Sequence, residues 1–182
     1  WAVSNAMRLN AKKCMTMDIC FNKTSPSPVA LQLNDCVLKQ HNVIKLLGVN
    51  IQADLKWDAH VAKIISKANS HLYVLRRLKH HGLPYSDLLT VYLSIVRPLM
   101  EYATPVWAGG ITKKQEEDIE RIQKRACQII LGKEYTGYTD ARDRLHLITL
   151  SDRRRNLCLT FAQSMLDTTS KLHHLLPPTL PG

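Results

Sequence analysis

The sequence contains no apolar run long enough to cross a membrane. Its longest nearly uninterrupted apolar stretch, Leu88 to Met100, covers thirteen residues and already includes Arg97 and Pro98, whereas a membrane-spanning helix needs about 20. No targeting series of charged, apolar and small residues opens the chain, which begins with Trp1 rather than Met. We therefore expect no membrane partner and interpret the sequence as a piece of a longer protein.

The cysteines lack the dense, even pattern of a disulfide framework, and no two of them form the Cys-x-x-Cys pair typical of a zinc site. Their odd number favours reduced thiols in an intracellular protein, either cytoplasmic or nuclear. The five are Cys14, Cys20, Cys36, Cys127 and Cys158.

The motifs of common hydrolytic sites are also missing. Neither a Gly-x-Ser-x-Gly elbow nor a Gly-x4-Gly-Lys-Ser/Thr loop is present, which argues against acyl transfer and nucleotide hydrolysis. A metal-dependent hydrolase would need clustered His or acidic residues, yet His60 and His71 would lie about 16 Å apart along a helix. We interpret the histidines as surface or capping residues and expect this chain to bind no metal or cofactor.

Positive charge is abundant, with 25 Lys and Arg against 15 Asp and Glu and a net charge of +10. This balance favours a polyanionic partner, most commonly nucleic acid. Residues 56–81 concentrate the charge, because six Lys and Arg stand there against the single acid Asp58. A phosphate-binding face and an ordinary solvated face both fit that pattern.

The apolar pattern predicts an α+β fold. Over the first 55 residues it is strand-like, with alternation over Met15 to Phe21, a turn at Thr24 to Pro28 and a hairpin over Leu31 to Leu38. Val43 to Ile51 predicts a further strand, in which Gly48 marks a bulge or a close backbone approach.

From Trp57 onward the apolar residues recur at helical spacing. The first helix ends at Gly82, the second is disturbed by Pro98, and the third begins with a capping box at Thr112 and ends at Gly132. Ser151 is expected to cap a last helix with three arginines, 153–155, in its first turn. Positive charge at a helix N-terminus opposes the helix dipole, a mild cost in stability that hints at an anionic partner, although solvent exposure could make this cost negligible. The predicted apolar faces are Val61, Ile64, Ile65, Ala68, Leu72, Leu75 and Leu78; Leu88, Val91, Tyr92, Ile95 and Leu99; Ile119, Ile122, Ala126, Ile129 and Ile130; and Leu157, Phe161, Ala162 and Met165.

Five strings, in order along residues 1–166, together resemble the reverse transcriptases of non-LTR retrotransposons, the LINE class and its jockey-like relatives. They are Trp1-x3-Asn5-x3-Leu9-Asn10-x2-Lys13; Lys45-Leu46-Leu47-Gly48-Val49; Leu55-x-Trp57-x2-His60; Tyr92-x2-Ile95-Val96-Arg97-Pro98-x2-Glu101-Tyr102-Ala103-x2-Val106-Trp107; and Ile119-Glu120-x-Ile122-Gln123-Lys124-Arg125-Ala126. The second departs from the family in having Leu46 in place of the usual aromatic residue.

The resemblance implies three segments: a palm remnant with the primer grip (1–55), thumb-like helices (56–110) and a helical extension (111–166). The prolines at 177, 178 and 181 predict a flexible tail over 167–182. Lys13 would lie near the nucleotide site, and Lys45 and Gly48 beside the primer strand, where a glycine permits close approach. The remaining nucleic-acid-binding residues of the thumb segment would be Lys56, Lys63, Lys67, Arg76, Arg77 and Lys79.

Polymerisation needs Mg²⁺ held by paired carboxylates, and the sequence contains no Asp-Asp pair. The family's Phe-Ala-Asp-Asp string, fingers and endonuclease would lie upstream of Trp1, so Mg²⁺ is expected only for the intact polymerase. We interpret Glu116, Glu117 and Asp118 as helix-stabilising acids. The expected function is template–primer binding to RNA and DNA without activity alone; the alternative is a non-catalytic helical protein-interaction module.

Overall fold

The computed structural model describes residues 4–21, 30–33 and 35–177. The fold is α+β, with a few short strand pairs followed by helices, as the apolar pattern predicts. The chain divides into two compact units, Trp1–His60 and Val61–Gly182, while the predicted four-segment division stays a prediction. Among the described helices, none is both long and apolar enough to span a bilayer.

The described residues of the first unit form three two-stranded sheets. The pair β1–β4 is parallel, whereas β2–β3 and β5–β6 are antiparallel. The strands are β1 (Met15–Thr16), β2 (Gln32–Leu33), β3 (Cys36–Val37), β4 (Lys39–Gln40), β5 (Val43–Leu46) and β6 (Val49–Gln52).

Of two predictions for the first unit, the hairpin is confirmed and the first strand is only partly correct. The hairpin over Leu31 to Leu38 is confirmed as β2–β3, with Asp35 at a φ of +60° in its turn. The strand over Met15 to Phe21 is wrong beyond Thr16, because the two residues of β4 pair only with Met15 and Thr16. Trp1, Asn34 and the turn at 24–28 lie outside the described residues.

The predicted strand over Val43 to Ile51 is also wrong, because the segment is a hairpin. Gly48 is a turn residue rather than a bulge, and β5 and β6 pair on either side of it. Leu47 and Gly48 have φ values of +46° and +91°, the positive values that a type I′ turn requires at both central positions. The turn places Leu47 at the tip, where 84% of its surface is exposed.

Helix α1 (Asp58–His80) ends as predicted, at a glycine in the left-handed region. Gly82 has a φ of +85°. Its N–H bonds to the Lys79 carbonyl at 3.1 Å, and the Leu83 N–H bonds to the Leu78 carbonyl at 3.2 Å, which together satisfy the last turn of the helix.

The second predicted helix is divided by a wider turn. Helix α2 (Tyr85–Val91) passes through a π-helical turn at Tyr92–Val96 into α3 (Arg97–Glu101). Pro98 has no N–H and would clash with the carbonyl four residues earlier, so the wider turn accommodates it. The predicted face is confirmed at Leu88 and Tyr92, which are buried. Beyond Tyr92 the turn shifts the buried side, so that Ile95 is exposed while Val96 and Met100 are buried.

Four more α-helices follow among the described residues of the second unit: α4 (Thr104–Trp107), α5 (Lys113–Leu131), α6 (Tyr138–Arg144) and α7 (Leu150–Leu166). The capping box of α5 is confirmed, since Thr112 and Gln115 bond to each other's backbone N–H. The buried face of α5 matches the prediction at Ile119, Ile122, Ala126 and Ile130, whereas Ile129 is only half-buried.

The predictions for α7 are wrong in its cap and in most of its apolar face. Thr149, not Ser151, is the N-cap, because its Oγ1 accepts from the Asp152 N–H at 3.0 Å. Only Leu150 and Arg154 are buried along the helix, and Phe161 is 41% exposed. Beyond α7, the described part of the predicted tail contains one 3₁₀ turn, His173–Leu175.

Candidate nucleic-acid interface

Helix α1 carries a row of exposed cations on the side opposite its buried residues. Its buried side comprises Val61, Ile64, Ala68, Leu72 and Leu75. Lys63 and Lys67 are four residues apart and share one face, and Arg77 lies about four turns after Lys63 on the same side. All three are exposed, and no acidic side chain among the described residues pairs with any of them. We call these three residues the α1 face.

Two further predicted residues, Arg76 and Lys79, lie on a different side of α1. They line a groove of about 320 Å³ together with Arg125, Gln128 and Ile129 of α5. The Lys79 Nζ donates to the Ile130 carbonyl at 2.9 Å, so its charge also stabilises the carboxyl end of α5. The structure thus brings Arg76 and Lys79 together, away from the α1 face.

Arg125 is the cation of this groove that the sequence-based site prediction omitted. Its Nη1 donates to the Asn69 side-chain oxygen at 2.7 Å, which fixes the guanidinium between α1 and α5. The fifth family-like string contains Arg125, so the sequence did offer a reason to include this residue in the predicted site. Its meeting with Arg76 depends on helix packing, which the string does not encode.

The predicted site residues of the first unit are all exposed. Lys13 ends the one-turn helix Ala11–Lys13, Lys45 lies on β5 opposite Asn50, and Gly48 occupies the hairpin turn. Lys56 precedes α1, and its Nζ lies 3.6 Å from Asp54 Oδ2. No hydrogen bond or ion pair links Lys13 to Lys45 within the described residues.

A buried polar network explains part of the fifth family-like string. Gln123 is fully buried; its Oε1 accepts from the Tyr92 hydroxyl at 2.7 Å, and its Nε2 donates to the Ile148 carbonyl at 2.8 Å and to the Tyr138 hydroxyl at 2.9 Å. The Tyr138 hydroxyl donates to Glu120, whose other oxygen accepts from the Leu150 N–H at 2.9 Å. Burial is the largest cause of the raised pKa of Tyr138, so this group remains a neutral donor.

An ion cluster similarly explains part of the fourth string. Glu101 accepts from Arg153, with Nη2 to Oε2 at 3.1 Å, and lies 3.3 Å from Arg97 Nε. Arg154 is only 2% exposed, and its guanidinium carbon lies 6.0 Å from the Trp107 ring centre. The interpretation that three arginines in the first turn of α7 hint at an anionic partner is therefore wrong for Arg153 and Arg154, which make contacts inside the protein.

His60 is buried, with 2% of its surface exposed, and is not the surface or capping histidine that we predicted. Its Nδ1 accepts from the Asn50 N–H at 3.3 Å, and its ring meets that of Trp57 edge-on at a centroid distance of 6.1 Å. Burial lowers the pKa of His60. The third string thus joins the start of α1 to strand β6.

The described residues do not fit a metal centre, because no three His, Cys, Asp or Glu side chains among them converge on one point. Glu116 accepts from the Ser151 hydroxyl at 3.0 Å, and Asp118 pairs with Arg121 at 2.7 Å. These contacts agree with the interpretation of both acids as structural.

Comparison with known proteins gives two relatives in Drosophila melanogaster. The chain is 25% identical, over 139 residues, to the probable RNA-directed DNA polymerase from transposon X-element. It is 23% identical, over 168 residues, to the RNA-directed DNA polymerase from mobile element jockey. The chain is thus similar in sequence to non-LTR retrotransposon reverse transcriptases. The predicted resemblance to this class of polymerase is thereby confirmed.

The alignments with these reverse transcriptases cover most of the chain but little of the relatives. They include 74% and 91% of the chain, and 15% and 18% of the X-element and jockey proteins. The chain therefore spans less than a fifth of the length of these relatives. No family model and no solved structure matches it.

Proposed function

We propose that the chain is the template–primer-binding part of a retrotransposon reverse transcriptase and holds an RNA–DNA duplex by its backbone phosphates. The observation that carries the proposal is the α1 face, where three cations are exposed and unpaired within the described residues. Unpaired cations attract phosphate without regard to base sequence, because each contact releases condensed counterions from the nucleic acid.

The first unit has a complementary role in this proposal. Lys45 and the Leu47–Gly48 turn lie along the primer strand, Lys13 lies near the nucleotide site, and Lys56 contributes a further phosphate contact. Such a role requires a cytoplasmic or nuclear setting, where RNA and DNA are present.

The chain does not polymerise alone in this proposal. It has no Asp-Asp pair, and its described residues contain no carboxylate cluster for Mg²⁺. The paired carboxylates would come from palm and fingers regions outside this sequence. The chain itself would bind the template–primer duplex and would not catalyse polymerisation.

The test compares two variants of equal charge in binding to a labelled RNA–DNA duplex at low salt. Lys63, Lys67 and Arg77 are changed to Ala in one; Lys113, Lys114 and Lys171, also exposed, are changed to Ala in the control. We expect the first variant to lose affinity by on the order of tenfold or more and to show a salt slope lower by roughly two to three. The control should change little. Equal loss of affinity in both variants would show that the chain binds through its overall positive charge and not through the α1 face. Absence of binding by the unaltered chain would favour the protein-interaction module.

A further inference from the structure

The groove between α1 and α5 has the chemistry of a phosphate site. Its charged lining residues are all cations, namely Arg76, Lys79 and Arg125, and the neighbouring Gln128 adds an amide donor. No carboxylate lines it. Cations that come from two packed helices are held close together without a counter-charge, which favours an anionic ligand.

Two of these cations are oriented by the protein itself. Asn69 fixes one arm of the Arg125 guanidinium, and the Ile130 carbonyl fixes the Lys79 ammonium. Each group retains further N–H donors, because a guanidinium has five and an ammonium three. A positioned guanidinium loses less side-chain entropy when it binds phosphate, and its planar fork suits two phosphate oxygens.

The groove continues along α5, which favours a polymeric ligand over an isolated anion. A neighbouring depression of about 440 Å³ shares Arg125 and Gln128 with the groove and adds Lys124 as well as Arg121, which already pairs with Asp118. Of its two acids, Glu120 already accepts from Tyr138 and Leu150, whereas Glu117 is exposed. A bound strand would therefore follow the side of the depression that carries Lys124 and Arg125. From Arg121 to Gln128 the helix rises about 10 Å, the length of roughly three nucleotides of one strand.

We propose that the α1–α5 groove binds a backbone phosphate of nucleic acid, so that α5 forms a second contact track beside the α1 face. This inference deepens the proposed function and rests on it. Its central residue is Arg125, with Arg76 on the opposite wall and the strand continuing past Gln128 toward Lys124.

The test inserts a negative charge into the groove without removing a structural contact. Gln128 and Gln163 are both exposed helix residues, so Gln128→Glu is matched by Gln163→Glu as a control on α7. We expect Gln128→Glu to weaken binding to a labelled RNA–DNA duplex several-fold and to lower the salt slope by about one, whereas Gln163→Glu stays within twofold of the unaltered chain. Arg76→Ala, which removes an exposed wall residue, should reproduce the loss.

The outcomes separate this inference from the proposed function. If Gln128→Glu and Arg76→Ala match the control while the α1-face variant loses binding, the groove proposal is overturned and the proposed function stands. If the groove variants lose binding while the α1-face variant matches its own control, the groove is supported and the α1 face is not the interface. Absence of duplex binding by the unaltered chain at low salt overturns both.

Discussion

At the scale of single residues, Gln123 shows how a family-like string can preserve the fold rather than contact a ligand. Its side chain is fully buried and bonds to Tyr92, Tyr138 and the Ile148 carbonyl. Removing one member of a buried network leaves the others unsatisfied, at a cost above that of the lost bond.

We expect Gln123→Ala to lower the free energy of unfolding by about 2–4 kcal/mol, through unsatisfied hydroxyls and a cavity. Urea denaturation measures the change. Gln128→Ala, an exposed position on the same helix, should stay within about 0.5 kcal/mol of the unaltered chain. Similar values for the two variants would show that the network contributes little to stability.

His60 predicts a pH dependence. Its Nδ1 accepts the Asn50 N–H and must be unprotonated, and burial lowers its pKa in the folded state. The unfolded chain therefore binds the proton more readily, so the stability contributed by neutral His60 is complete above about pH 6.5 and falls as pH drops below that value.

The Asn50 amide provides the measurement, because protonation of His60 removes its acceptor. We expect the nuclear magnetic resonance shift of this amide to titrate with a midpoint below about 6.5, and His60→Gln to abolish the titration. A midpoint at or above 6.5 would be inconsistent with burial as the controlling influence.

Individual residues also show which contacts could not be predicted from the sequence. The strings identified Glu101, Glu120 and Gln123 as members of a family pattern, and spacing identified the capping box at Thr112. Apart from Arg97, the partners described above for Glu101, Glu120 and Gln123 lie 15 to 52 positions away, and local patterns cannot specify such pairs. The same limit hid the burial of His60 and Arg154, since both residue types are ordinarily exposed or only partly buried.

At the scale of elements, the β5–β6 hairpin combines strain with exposure. Leu47 has a φ of +46° and an 84% exposed side chain, although Asn or Gly is favoured at that position. A leucine at this position is therefore both exposed and conformationally strained.

We expect Leu47→Asn to stabilise the hairpin by about 1 kcal/mol through relief of strain, and Gly48→Ala to destabilise it by about 1 kcal/mol or more, since its φ is +91°. Amide exchange of the β5 and β6 residues should slow in the first variant and quicken in the second. Equal amide exchange rates in the two variants would contradict the turn geometry. In the proposed function, Leu47→Asn should also weaken duplex binding.

Other elements show which boundaries the sequence could predict. Gly82 and Thr112 acted as predicted, because each end depends on residues within one turn of it. The face of α2 and α3 was predicted correctly at Leu88 and Tyr92 but not at Ile95, because the π-helical turn before Pro98 shifts the helical period. The cap of α7 was mispredicted, because Ser151 bonds to Glu116 of another helix.

At the scale of the whole molecule, the two units differ in how much they bury. Only Val49 and His60 are buried among the described residues of the first unit, whereas the second buries side chains from every one of its α-helices. The two-stranded sheets of the first unit leave strand edges without neighbours among the described residues, and such edges promote association.

We therefore expect amides of the first unit to exchange through openings of lower free energy than those of α5, because few buried apolar contacts must be broken. Hydrogen exchange of the full chain, followed residue by residue, tests this expectation. Uniform protection along the chain would contradict it.

The sequence predicted the α+β class, the charge and the relationship to reverse transcriptases, because composition and short strings carry those properties. It did not predict that the basic residues divide between an exposed α1 face and an α1–α5 groove. That division arises from the packing of α1 against α5, through contacts such as Arg125 with Asn69.

The most direct test of phosphate-backbone binding is the affinity of the unaltered chain for a labelled RNA–DNA duplex between about 50 and 200 mM salt. The proposed function predicts tight binding at the lower concentration and a steep linear fall of log affinity with log salt concentration. Affinity that is absent at low salt, or unchanged across the range, would contradict it.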